Sequence, residues 1–98
     1  MLYVTLLNWK PGLNRQQMDA AFARRAQWQY PKGAKLVAEY WLSTSSPAVI
    51  TIFEASTYEP LLELGLTWSD VFDLTIVPAT TAEEGLRIGP QLFQRRPS

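Results

Sequence analysis

Two carboxylates, Glu39 and Asp73, stand inside apolar, strand-forming runs, Leu36–Leu42 and Phe72–Val77. A carboxylate shut among apolar groups loses hydration, its pKa rises, and it can take a proton near neutral pH. Both are therefore candidate catalytic residues, as a general base for proton abstraction next to a carbonyl. The plainer reading pairs each with a Lys or Arg, or leaves it at a wet cavity mouth. Tyr3, Thr5, Trp9, Trp41, Thr51, Phe53 and Thr75 lie in similar runs and are the candidate ligand-binding residues. Their rings can stack on a planar ligand and their hydroxyls can fix its orientation. Equally, the rings can be simple filling, and threonines suit strands without any further role.

The rest of the composition narrows the chemistry. The chain has no Cys and no His. Disulfides, Cys or His zinc sites, a Cys nucleophile, the Ser-His-Asp triad and His-ligated haem are excluded. Asp70 and Asp73 alone are too few for a metal site. Gly85-x-x-x-Gly89 follows no strand and precedes no Lys, so it is not a phosphate loop. No cofactor is implied. Nine basic and nine acidic residues cancel, which argues against nucleic acid. Residues 1–35 hold six bases and one acid, and residues 36–86 hold eight acids and no base. Neighbouring halves of one fold that attract each other explain this best. No apolar run reaches the roughly 18 residues of a membrane span. Met1-Leu2-Tyr3-Val4 shows no basic leader, so a cytoplasmic location is expected.

These residues need elements to hold them. At 98 residues and 47% apolar, the chain suits a single domain over 1–98, with an ordered core over about 1–89 and a tail over 90–98. Leu2–Trp9 reads as a strand ended by Lys10-Pro11-Gly12. Asn14 with Gln17 forms a capping box for a helix over 15–28, whose apolar stripe is Met18, Ala21, Phe22 and Ala26. Strands over 35–43 and 48–55 flank the turn residues Thr44–Pro47. Ser56-Thr57-Tyr58-Glu59 matches a second capping box, and Tyr58, Leu61, Leu62, Gly65 and Leu66 mark the buried face of the second helix. Asp70–Pro78 is the fourth strand. Overlapping boxes at Thr80 and Thr81 start a short helix that Gly89-Pro90 stops near Ile88, and a frayed end follows over 94–98.

The order β-α-β-β-α-β predicts a ferredoxin-like α+β fold: a four-stranded antiparallel sheet with two helices on one face and a short carboxy-terminal helix. Alternation divides the strands into two sets. Leu2, Val4, Leu6, Leu36, Ala38, Tyr40, Leu42, Ala48, Ile50, Ile52, Phe72, Leu74 and Ile76 are expected under the helices. Tyr3, Thr5, Leu7, Trp9, Val37, Glu39, Trp41, Val49, Thr51, Phe53, Asp73, Thr75 and Val77 are expected on the open face. That second set is too apolar to stay wet. A second copy packed sheet to sheet would cover it and enclose an aromatic cavity in a dimeric α/β barrel.

The opening Met-Leu-Tyr-Val, the Trp9-Lys10-Pro11-Gly12 turn, Ile52-Phe53-Glu54-Ala55 and the stretch Trp68-Ser69-Asp70-Val71-Phe72-Asp73-Leu74-Thr75-Ile76-Val77-Pro78 resemble the bacterial and archaeal family of domain of unknown function 3303. The likeness spans roughly residues 1–85, and its Trp-Ser-Asp to Val-Pro stretch is the most specific part. More widely the layout resembles the dimeric α/β-barrel superfamily of cofactor-free monooxygenases, muconolactone isomerases, haem proteins and stress-responsive barrels. The resemblance implies the fold and a homodimer, and leaves the activity open. The family's second strand carries Trp-His where this chain has Tyr40-Trp41, so chemistry that needs that His does not carry over.

Three functions are compatible with these readings. The first is an uncharacterised small-molecule-binding barrel whose cavity takes a small aromatic or hydrophobic ligand. The second is a cofactor-independent monooxygenase, isomerase or cyclase with an inward carboxylate as base. The third is a structural dimer with a filled barrel.

Overall fold

The computed structural model describes residues 1–94. The expected order is present: β1 (Leu2–Trp9), α1 (Arg15–Gln27), β2 (Ala34–Trp41), β3 (Val49–Ala55), α2 (Glu59–Trp68), β4 (Phe72–Ala79) and α3 (Ala82–Gln94). The strands form one sheet in the order β2-β3-β1-β4, and every neighbouring pair is antiparallel. This is the ferredoxin-like α+β arrangement. No helix among the described residues is long and apolar enough to cross a membrane.

The start of α1 is set locally. Asn14 accepts from the Gln17 backbone N–H at 2.8 Å, and the Gln17 side chain accepts from the Asn14 N–H at 2.9 Å. This reciprocal box satisfies two amide donors that a helix start leaves open. The box expected at Ser56 does not form. Tyr58 is the N-cap of α2, with no side-chain cap, and Pro60 sits in its first turn. For α3, the Thr81 hydroxyl accepts from the Glu84 N–H at 3.1 Å, so the later of the two overlapping boxes is used. The short carboxy-terminal helix is longer than expected and runs through Gly89 and Pro90 to Gln94. Proline removes the bond to the carbonyl four residues back, here Leu86. Leu86 is exposed and α3 buries none of its residues, so the freed carbonyl faces solvent and the helix continues. Residues 95–98 of the expected frayed end lie outside the described residues.

The facing of three strands is reversed from expectation. Thr5, Leu7, Thr51 and Phe53 are buried, and Leu7 and Phe53 pack in the core with Ala21 of α1 and with Leu64 and Trp68 of α2. The helices therefore cover Tyr3, Thr5, Leu7, Trp9, Glu39, Trp41, Val49, Thr51 and Phe53. Leu2, Val4, Leu6, Ala38, Tyr40, Ile50 and Ile52 lie on the open side. Both sets in β1 are apolar, so hydrophobicity does not choose between them; volume does. The one fully buried residue of α1 is Ala21, and a small helix residue needs large sheet residues opposite to fill the layer. In β4 the facing of Phe72, Leu74 and Ile76 agrees with expectation. Register pairs Thr5 with Ile76, Leu6 with Thr75 and Asn8 with Asp73, which sends Asp73 and Thr75 to the side opposite Thr5. A bulge between Leu36 and Ala38 lets Val37 slip out of register, so Leu36 and Glu39 share a face.

The buried face of α2 is also shifted. Pro60, Leu61, Leu64 and Trp68 are inside, while Tyr58, Leu62 and Leu66 are exposed. The helix is apolar on two flanks, and the larger Trp68 takes the inner one. Three ion pairs join the two charged halves of the chain: Lys10–Asp73 at 3.0 Å, Arg24–Asp70 at 3.1 Å and Arg25–Glu39 at 3.0 Å.

Candidate ligand-binding site

α1 lies over the sheet, and Ala21 lines a space left between them. The result is a cavity of about 50 Å³ between α1, α2 and the helix-facing side of β1, β2 and β3. That is space for on the order of three to five waters and well short of the ~150 Å³ of an apolar cavity that takes up benzene, so a ring enters only when a lining side chain moves. All four tryptophans of the chain, Trp9, Trp28, Trp41 and Trp68, line it. The walls are a continuous aromatic contact: Trp9 stacks on Phe72 at 4.4 Å, Trp28 meets Trp68 edge to face at 5.5 Å, and Phe22 stacks on Trp41 at 5.4 Å. Phe22 and Trp41 are the most exposed of the lining rings, at 42% and 55%, so this stacked pair forms the mouth.

One end of the cavity is polar. The bulge of β2 turns Glu39 inward, and four donors meet its carboxylate. Arg25 Nε donates to Oε2 at 3.1 Å and Arg25 Nη2 to Oε1 at 3.0 Å. The Tyr30 hydroxyl donates to Oε1 at 2.6 Å and the Trp41 indole N–H to Oε2 at 2.7 Å. Arg25 also donates to the Trp28 carbonyl at 3.2 Å and lies over the Trp28 and Tyr30 rings. Burial is the largest single influence on the Glu39 carboxyl and pushes its pKa up. The hydrogen bonds from Arg25, Tyr30 and Trp41, with the Arg25 charge, outweigh burial and hold Glu39 below the usual range. The Tyr30 phenol is pushed well up, first by burial and then by its bond to the Glu39 carboxylate. Arg25 is raised, chiefly by the hydrogen bond to Glu39.

Thr51 is the cross-strand partner of Glu39 and also lines the cavity. It is 4% exposed, and its hydroxyl has no hydrogen-bond partner. Thr51 also acts on the Tyr30 phenol, as the last and smallest of its influences, and draws it down. An unmade hydrogen bond at a buried hydroxyl costs about 1–3 kcal/mol.

Of the residues singled out from sequence, Glu39, Trp9, Trp41 and Thr51 come together here, inside one subunit rather than between two sheets. Tyr3, Thr5 and Phe53 lie deeper on the same side. Tyr3 stacks on Phe53 at 5.7 Å, and Thr5 is fully buried with its hydroxyl unpartnered. Asp73 is on the opposite side, 62% exposed and paired with Lys10. Thr75 is exposed beside it. Neither is near Glu39, so the two carboxylates do not form one site. Sequence reading missed Arg25, Tyr30 and Trp28. Arg25 left a signal: it stands three and four residues after Phe22 and Ala21, so a charge falls on the apolar stripe of α1.

A family model described as a domain of unknown function (DUF3303) matches residues 1–93. No curated protein matches this chain.

Proposed function

The chain belongs to the DUF3303 family, and we propose that it is a cytoplasmic, homodimeric small-molecule-binding protein whose ligand enters the aromatic cavity beneath α1. The observation that carries this reading is the lining itself: four indoles around one space with the Arg25–Glu39–Tyr30 cluster at its end. A ligand with a flat apolar body and one polar atom suits aromatic walls with a polar end. Binding is favoured over base catalysis because the Glu39 carboxylate already receives four donors and is held ionised, with no lone pair free for a substrate proton. Asp73, the other candidate base, stands in solvent beside Lys10, away from the cavity.

The homodimer is supported by the open side of the sheet. Leu2, Val4, Leu6, Ala38, Ile50 and Ile52 share one aliphatic side of the sheet, and the core residues of α1 and α2 pack against the other. A second copy, laid sheet to sheet, buries this surface twice over and gives the assembly of the dimeric α/β barrels. Native mass spectrometry of the purified protein tests both parts at once. The expected spectrum has twice the mass of the 11.1 kDa chain, with a retained small molecule or uptake of an added aromatic one. Titration with a panel of small aromatics should quench tryptophan emission, because all four indoles line the space. A panel that leaves emission unchanged, with no retained mass, refutes the ligand reading.

A further inference from the structure

Resting on the cavity reading above, we infer that the ligand is a phenol, a flat ring bearing one hydroxyl, and that Trp41 occupies the ligand's place on Glu39 when the site is empty. The four donors on Glu39 are not equivalent. Arg25 and Tyr30 are part-buried at the polar end, and three of the four bonds are theirs. The fourth comes from Trp41, the most exposed ring of the lining, held at the mouth by its stack on Phe22. It sits near the end of β2, the outermost strand, so its indole can swing outward without disturbing the core.

When Trp41 swings out, Oε2 of Glu39 loses one donor and the mouth opens in the same motion. The carboxylate then faces the cavity with a single free lone pair and takes one O–H or N–H. A ring hydroxyl donates to that oxygen, and a methyl ether has nothing to donate. A carboxylate-bearing ring would place a second negative charge against Glu39 and is rejected. The aromatic walls take the flat face of the ring.

Isothermal titration calorimetry of the intact protein with phenol and with anisole tests this without any variant. A hydrogen bond to a charged group corresponds to about a tenfold preference or more, so phenol should bind at least about tenfold tighter than anisole. Trp41→Phe keeps a ring at the mouth but removes the competing N–H. It should strengthen the binding of both rings several-fold, since either displaces the indole to enter, and keep the preference for phenol. Glu39→Gln should abolish the preference. Equal binding of phenol and anisole by the unaltered protein overturns the phenol inference and leaves the cavity reading standing. Binding of neither ring overturns both. A Trp41→Phe protein that binds phenol more weakly overturns the idea that the indole is a stand-in.

Discussion

Replacing Arg25 with Ala should destabilise the protein by about 2–3 kcal/mol at pH 7, and the loss should shrink in acid. Arg25 supplies two of the four donors on Glu39, and the Glu39 side chain is only 13% exposed. Removing one partner of a fully buried pair costs about 3–5 kcal/mol, because the other charge is stranded. Arg25 is itself 29% exposed, and Tyr30 and Trp41 remain on the carboxylate, which brings the figure to the lower end and below. For a chain of this length that corresponds to a fall in Tm of about 8–24 °C. The pH sign follows from the direction of the Glu39 shift. Its folded pKa lies below the ordinary carboxyl value of 4.5. Its contribution is therefore present above that value and is lost as pH falls through the folded pKa. In the Arg25→Ala protein, burial acts with far less opposition and Glu39 protonates at higher pH, which relieves the stranded charge. The two proteins should thus converge as pH falls through the folded Glu39 pKa. Urea unfolding followed by tryptophan emission at pH 7 and at pH 3 measures this directly. A difference at pH 7 under about 0.5 kcal/mol, the range of an ordinary surface substitution, refutes the account of the network. So does an equal difference at both pH values.

Other outcomes follow from single features. Thr5→Val should stabilise by about 1 kcal/mol, since it replaces a fully buried, unpartnered hydroxyl with a methyl of the same shape; denaturant midpoints at constant slope check it. The Tyr30 phenol should stay protonated as pH rises past its ordinary value of 10.0, because burial and the Glu39 carboxylate both oppose the phenolate. Absorbance at 295 nm should show a tyrosine that resists ionisation, and Glu39→Gln should bring it part of the way back. Ile52→Lys, at the centre of the open sheet surface opposite Val4, should halve the native mass without lowering the helix signal in circular dichroism. An unchanged dimer mass would show that copies meet elsewhere.

The element order is legible in the sequence because each boundary carries its own local chemistry: Asn14 with Gln17, Pro11-Gly12, and the turn residues ahead of Pro47. The facing of the strands is not. In β1, Leu2, Val4 and Leu6 are as apolar as Tyr3, Leu7 and Trp9, so alternation offers two equal answers. The choice depends on the small Ala21 across the layer, a long-range fact of packing. For the same reason Glu39, Trp41, Trp9 and Thr51 emerge from the pattern as a group while what encloses them does not. Asp73 is drawn into that group because alternation within β4 says nothing about how β4 registers on β1. α2 shows the same limit: with leucines at 61, 62, 64 and 66, the pattern supports two inner faces, and the bulk of Trp68 selects one.

The displaced Val37 in β2 and the imino acid at 78 in β4 lie on the two flanking strands of the sheet. Each interrupts the row of outward amides on which a foreign strand would zip, one by a kink and the other by offering no N–H. Fibril-like growth by lateral strand addition is thereby discouraged on both sides. The homodimer proposed above meets instead on the aliphatic open side, where a sheet-to-sheet contact closes after two molecules and does not propagate.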